Sequence, residues 1–223
     1  MQITTFGIMQ GYIHKLIAEG EHQQLDFKFG ITDSRKIART LAAFANTDGG
    51  RLLVGVKDNG AIAGMRTGEE FYMVQAASEL YTQPKVNFEV KEWQVEGRTV
   101  LEIIVPKSNS MPHSAPDKDG NWKVYIRVND HNYLANNVWL RVLRHNKTDI
   151  GTLVEYTDKE RLLITYLSDH DNITLSKFIR LSGINRKKAE NLFVNFVSLS
   201  IIRMEFTENG VFYRLAKQYS NKG

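Results

Sequence analysis

The chain has 223 residues, of which 42% are hydrophobic and 24% charged, a composition that supplies a folded core and gives no reason for bulk disorder. It contains no cysteine, which excludes disulfides, thiolate metal sites and cysteine nucleophiles. No stretch approaches the roughly 18 consecutive apolar residues of a membrane span, and Met1 to Gly11 lack a basic region followed by an apolar run, so a cytoplasmic protein without a membrane partner is expected.

The length favours two domains. Net charge is only +4, but it is unevenly placed. Met1 to Glu155 hold 18 Lys+Arg against 18 Asp+Glu, whereas Tyr156 to Gly223 hold 11 against 7. The positive excess therefore lies in the last third, and such a segment suits a polyanionic partner.

In chain order, Ile8, Tyr12, Leu16 and Ile17 have helical spacing, and Gly20 follows as a stop. Leu25 to Phe29 alternate as a half-buried strand does. Thr32, Asp33 and Ser34 offer N-caps for a helix running to about Ala45, with Ile37, Leu41, Ala42 and Phe44 facing a core. Asn46 to Gly50 end that helix with residues tolerant of positive φ. Leu52 to Val56 read as a strand buried on both faces, followed by a turn over Lys57 to Gly60. A helix over about Gly68 to Tyr81 precedes a hairpin of Val86 to Gln94 and Thr99 to Val105. Ser108 to Asn121 read as an exposed loop, and Lys123 to Val128 as a further strand. These elements predict a mixed α/β domain over residues 1–137 and a connector over 138–155.

Residues 156–223 carry three helical patterns with Asp158, Thr174 and Asn185 as candidate N-caps. Gly183 lies between the second and third, the order of a helix-turn-helix. Ile201 to Phe206 and Val211 to Leu215 flank Glu208-Asn209-Gly210 as a hairpin, the wing of a small winged-helix domain. On the third helix Ala189, Leu192, Phe193, Phe196 and Val197 form the inward stripe, leaving Lys187, Lys188, Asn191 and Asn195 outside. Lys and Asn contact phosphates and base edges, and the N-terminal residues of a recognition helix enter the major groove. Arg186, Arg203 and Arg214 add positive charge. The same fold also serves dimerisation and protein docking, so a protein-interaction adaptor stands as a further alternative.

Four strings carry a more specific signal: Glu21-x4-Asp26-Phe27-Lys28, Ala43-Phe44-Ala45-Asn46-Thr47-Asp48-Gly49-Gly50, Leu53-Val54-Gly55-Val56-Lys57-Asp58-Asn59-Gly60, and Tyr125-Ile126-Arg127-Val128. Together they resemble the Schlafen AlbA-like domain, once described as a divergent AAA ATP-binding domain. The resemblance covers about Ala18 to Asn136 and implies an AlbA-like α/β fold with a DNA-binding, transcription-regulating role. The chain has no G-x-x-x-x-G-K-[ST] run, so ATP is not expected. Members that resemble RNA endonucleases hold a divalent metal on three carboxylates, and the matching positions here are Glu21, Asp26 and Asp58. Such a cluster would take Mg²⁺ or Mn²⁺ and stabilise in-line attack on a phosphodiester. The family usually carries glutamate where Asp26 stands, and the shorter side chain displaces a ligand. Each of the three also has a plain structural use, at a helix end, on a strand and in a turn.

Asn46, Thr47, Gly49 and Gly50 are candidates for an anion-binding turn, because exposed backbone N–H groups make nests. They serve equally to end a helix and start a strand. Lys28, Arg127, Arg35, Lys36 and Arg39 are candidate phosphate contacts that read equally as solvated charges. The six histidines, His113, His131 and His145 among them, show no metal-ligand spacing. The reading is a homodimeric DNA-binding regulator without catalysis or cofactor, DNA being preferred to RNA, and the enzymatic alternative is a metal-dependent ribonuclease.

Overall fold

The computed structural model of the chain describes residues 3–145 and 156–217, with side chains from residue 11 onward. Two compact units divide it, Met1–Leu134 and Ala135–Gly223. Among the described residues no helix is long and apolar enough to cross a membrane.

The first unit runs α1 (Ile3–Glu19), β1 (Leu25–Lys28), α2 (Ser34–Asn46), β2 (Gly50–Val54), α3 (Glu69–Tyr81), β3 (Glu89–Val95), β4 (Arg98–Val105), β5 (Ser114–Pro116), β6 (Trp122–Val128) and β7 (His131–Leu134). Four strands form a sheet in the order β1-β2-β4-β3, with β1 parallel to β2 and the other pairs antiparallel. The alternation of β2 explains its central place. Leu52 and Val54 join the core beneath α2 and α3, while Leu53 joins a second core with Ile13 and Leu16 of α1. Both faces are thus covered, which is why this strand reads as a continuous apolar run.

On the α1 side the sheet buries a charge. Glu102 of β4 is fully buried, accepting from Tyr12 Oη at 2.6 Å and Trp93 Nε1 at 2.9 Å, and Arg51 Nε lies 3.1 Å from it. Burial first, and then the bond to Glu102, pushes the Tyr12 hydroxyl pKa up. This network ties α1 to three strands through hydrogen-bonding geometry as well as apolar contact.

Helix α2 starts because the Asp33 side chain accepts from Arg35 N at 2.9 Å. It ends at Thr47, with Thr47 N and Gly49 N both donating to Phe44 O. The α2 terminus is also joined to a second, three-stranded sheet of order β5-β6-β7. Buried Asn46 does this: its Nδ2 donates to His113 O and Tyr125 O, and its Oδ1 accepts from His113 N. Two of these strands differ from the expected outline. Strand β5 lies inside the segment read as a loop, and its Pro116 is tolerated because β5 is the edge of its sheet and its bridge to Gln83 is made at Ser114 rather than at Pro116. Strand β7 is four residues long, too short to show a period.

The second unit comprises α4 (Asn137–His145), α5 (Asp158–Asp169), α6 (Leu175–Ser182), α7 (Arg186–Ser198), β8 (Ile202–Thr207) and β9 (Gly210–Leu215). Thr157 caps α5 in a capping box with Glu160, one residue before the expected Asp158. Thr174 and Asn185 cap α6 and α7. Gly183 ends α6 with φ 70°, a conformation glycine adopts without strain. Strands β8 and β9 pair antiparallel, and Ile173 hydrogen-bonds Tyr213 of β9 in both directions at 2.9 and 2.8 Å. The core centres on Phe193, whose ring meets Phe178 at 5.3 Å and Tyr213 at 4.5 Å. Part of the expected connector belongs to this unit, because α4 buries Val138 in the same core. Residues 146–155 of that connector lie outside the described residues.

Gly49 combines φ +72° with a close approach: a Cβ there would sit 2.7 Å from Val105 O. Gly49→Ala is therefore expected to lower stability by about 1–3 kcal/mol, read as a lower urea midpoint with unchanged m-value. A midpoint equal to wild type would contradict the packing described.

Candidate functional site

Asp26 and Arg127 form the centre of the carboxylate region. Asp26 is 4% exposed and Arg127 2%. Arg127 Nη2 lies 3.1 Å from Asp26 Oδ1, 3.3 Å from Leu25 O and 3.5 Å from His22 O. Its Nη1 donates to Asn132 Oδ1 at 3.2 Å, and the guanidinium sits 5.2 Å from the Phe44 ring centre. The expectation that Arg127 contacts phosphate is corrected, because its charge is buried and consumed inside the fold. Lys28 is tied down as well, with Nζ 2.8 Å from Asp26 Oδ2 and donating to Phe27 O at 2.7 Å. The ion pair with Oδ2 is close but out of hydrogen-bonding line, and that oxygen has no hydrogen-bond partner.

Glu21 reaches the same region from the loop after α1, its Oε1 accepting from Phe27 N at 2.8 Å. Asp58 does not join them. It is exposed on the turn in which Gly60 N donates to Lys57 O at 2.7 Å. Among the described residues no group of three His, Asp or Glu side chains is placed to hold a metal ion. The implied Mg²⁺ or Mn²⁺ site does not fit these residues. Asp26 is buried, and each of its oxygens already faces a cation, Oδ1 facing Arg127 at 3.1 Å and Oδ2 facing Lys28 at 2.8 Å, so its charge is balanced within the fold.

The anion-binding turn is corrected on similar grounds. Thr47 N and Gly49 N donate to Phe44 O, and the Asn46 amide is fully engaged within the fold. Asp48 brings negative charge to the turn and binds Gln23 Nε2 at 3.1 Å. Gly49 and Gly50 are needed for packing: a Cβ at Gly50 would meet the Phe44 ring at 2.4 Å. On α2, Arg39 Nε donates to Pro116 O at 2.8 Å and Arg35 lies 6.0 Å from the Tyr81 ring centre, whereas Lys36 is exposed.

The second unit disposes its charges differently. Lys187 and Lys188, in the first turn of α7, are exposed, and among the described residues neither has an acidic partner. Arg186 beside them is paired with Glu190 at 2.9 Å. Asn191 is exposed, with Oδ1 accepting from Arg141 of α4, and Asn195 is half-buried. Arg203 and Arg214 stand directly opposite each other across β8 and β9. Arg214 pairs with Glu205, while Arg203 is exposed and unpaired among the described residues.

Three residues assigned no binding role from the sequence also come together. Phe29, read as the end of a half-buried strand, lies past the end of β1 and is 41% exposed, with Lys57 and Arg66 beside its ring. No local pattern marks a loop arginine and a turn lysine as neighbours of the same phenylalanine.

Burial pushes the Glu21 carboxyl pKa up. The nearby Asp26 carboxylate adds to this, against the opposing Phe27 N–H and the Lys28 ammonium. Folded Glu21 then holds its proton more tightly than the unfolded chain does. Stability consequently falls as pH rises from the ordinary glutamate range through the raised value. Glu21→Gln removes that loss, keeping an oxygen for Phe27 N. Its thermal midpoint is expected above wild type at neutral pH and level with it at about pH 3, below the ordinary carboxylate range. A lower midpoint for the variant at neutral pH would refute the repulsion.

The family profile described as Schlafen, AlbA_2 matches residues 21–136. Among solved structures the chain is similar to a crystal structure of a protein from Corynebacterium diphtheriae, with 19% identity and a TM-score of 0.44 over 72% of this chain. It spans 37% of that structure. It is also similar to the solution structure of the N-terminal domain of a RecG-related protein from Nitrosomonas europaea, with 20% identity and a TM-score of 0.40. That match covers 66% of this chain and 95% of the other. No curated protein is significantly similar to the chain. Because the profile matches more than half of the residues and spans the Asp26–Arg127 pair, the Asn46 hub and the sheet that carries them, this chain belongs to the Schlafen AlbA_2 family.

Proposed function

We propose that the protein binds nucleic acid through its second unit, as a DNA-binding regulator without catalysis, with α5 to α7 and the β8–β9 hairpin acting as a winged helix-turn-helix. One observation carries this reading. The first turn of α7 presents Lys187 and Lys188, which have no acidic partner among the described residues, at the end of the helix where the backbone dipole is positive. Arg203 on the hairpin is exposed and has no acidic partner among the described residues. The inward stripe of α7, with Ala189, Leu192, Phe193 and Phe196 buried, orients the opposite face outward.

Duplex DNA is the preferred partner because the major groove of B-form DNA admits a helix, whereas that of A-form RNA is too narrow for side chains to read. A homodimer in the cytoplasm completes the reading, since small regulators match paired half-sites by two-fold symmetry. The ribonuclease reading gains no support from Asp58, which stands apart from Asp26.

Lys187→Ala and Lys188→Ala are each expected to weaken duplex binding across unrelated sequences and to lower the salt slope by about one ion. Asn191→Ala should act only on preferred sequences. Its Oδ1 is held by Arg141, so base recognition would run through its amide N–H groups. Anisotropy titrations at several salt concentrations measure all three, and equal, salt-independent losses would overturn the proposal. Asp58→Asn should leave duplex binding unchanged, because Asp58 belongs to the first unit and is no part of the proposed duplex-binding surface. Mn²⁺-dependent RNA cleavage that disappears in this variant would instead establish a nuclease.

A further inference from the structure

We infer that Phe29, Lys57 and Arg66 of the first unit form a platform for single-stranded nucleic acid, stacking an unpaired base while the two cations bind the adjoining phosphate. This surface shares no residue with the proposed duplex-binding helix and does not rest on that proposal.

Phe29 is 41% exposed, just beyond the last residue of β1. The Arg66 guanidinium lies 4.8 Å from its ring centre and Lys57 Nζ lies 5.5 Å from it. Lys57 and Arg66 are both exposed, and among the described residues neither forms an ion pair with a carboxylate. Two like charges thus converge on one exposed aromatic ring, and among the described residues no carboxylate forms an ion pair with either. A ring face attracts cations weakly, which accounts for their position and leaves their charge available.

The three side chains are held by their loops. Gly30 lets the Arg66 stem approach, since a Cβ there would sit 3.2 Å from Arg66 Cδ. Glu70 is 3% exposed and accepts from Arg66 N, Thr67 N and Thr67 Oγ1 at 3.0, 3.0 and 3.1 Å. Its carboxylate therefore fixes the loop that carries Arg66 and leaves the guanidinium unneutralised. Lys57 is placed by its own turn, Lys57 N donating to Ala61 O at 3.0 Å.

The chemistry selects the partner. A flat hydrophobic face beside an uncompensated pair of cations matches a base and its phosphate, presented together by an unpaired strand. The base stacks on the open part of the Phe29 ring or on the outer plane of the Arg66 guanidinium, which is itself a stacking surface for bases. A duplex keeps its bases inside the helix and offers phosphate alone. An acidic peptide offers charge but lacks the flat π-face.

The test uses the full chain with labelled oligo(dT) and oligo(U) of about 15 nucleotides and a duplex of equal length, titrated by anisotropy at several salt concentrations. Phe29→Ala should weaken single-strand binding about tenfold, Phe29→Tyr should retain it, and neither should change duplex binding. Arg66→Gln and Lys57→Gln should each lower the single-strand salt slope by about 0.7. Comparison of the two oligonucleotides separates DNA from RNA. The inference fails if the wild type does not bind either oligonucleotide, if Phe29→Ala binds as wild type, or if Phe29→Tyr is as weak as Phe29→Ala. It fails equally if an acidic peptide displaces the oligonucleotide at equal charge concentration. Lys187→Ala and Lys188→Ala report on the duplex surface alone, so the failure of either proposal is distinguishable from failure of the other.

Discussion

The Arg127 guanidinium is a permanent charge taken almost wholly out of water, and the first unit is organised around making that tolerable. Transfer of an ion to the interior costs several kcal/mol after relaxation, so it persists only with an opposite charge and hydrogen-bond acceptors at hand. Asp26 supplies the charge, and His22 O, Leu25 O and Asn132 Oδ1 supply acceptors. These groups belong to β1, the loop before it and β7, while Arg127 itself is on β6. A single side chain thereby joins the four-stranded sheet to the three-stranded one, with Phe44 of α2 packed against its face. Asn46, at the end of the same helix, repeats the connection with neutral hydrogen bonds to His113 and Tyr125.

This arrangement also explains why residues expected at a metal or phosphate site serve the fold instead. A carboxylate that balances a buried guanidinium keeps its charge only by keeping that partner. The shorter side chain at Asp26 suits the role, since it stays within the sheet edge and meets Arg127 at 3.1 Å. Glu21 takes the strained share of the bargain, held beside Asp26 by the Phe27 N–H while burial and its neighbour raise its pKa.

Much of the fold was legible because local chemistry and tertiary position agree. Asp33, Thr174 and Asn185 cap helices as their side chains require, Gly183 takes the left-handed turn, and the even apolar run at Leu52 reflects burial on both faces. Strand β5 was hidden by Pro116, which is harmless only at a sheet edge, and edges are decided by topology. Helix α4 has an amphipathic period, but its partner α7 lies about fifty residues further on, so nothing local assigns it to the second unit. The environments of the candidate residues divide on the same principle. Lys187 and Lys188 were legible because their exposure follows from helical phase. Arg127 was not, because a strand arginine gives no sign of a buried aspartate 101 residues away.

Charge composition is therefore a poor guide to binding until it is known which charges are already neutralised. In the first unit Lys28, Arg51 and Arg127 face carboxylates within the fold, and Arg39 is committed to a backbone carbonyl. Equal numbers of acidic and basic residues in residues 1–155 reflect this internal pairing in part, yet Lys57 and Arg66 stand outside it beside an exposed ring. In the second unit the capping residue Asn185 satisfies a backbone N–H of α7 with a neutral oxygen, leaving the positive helix end uncompensated. An aspartate at that cap would hold the helix as well and cancel part of its attraction for phosphate. With a neutral cap the N-terminus of α7 is held without adding negative charge beside the exposed Lys187 and Lys188.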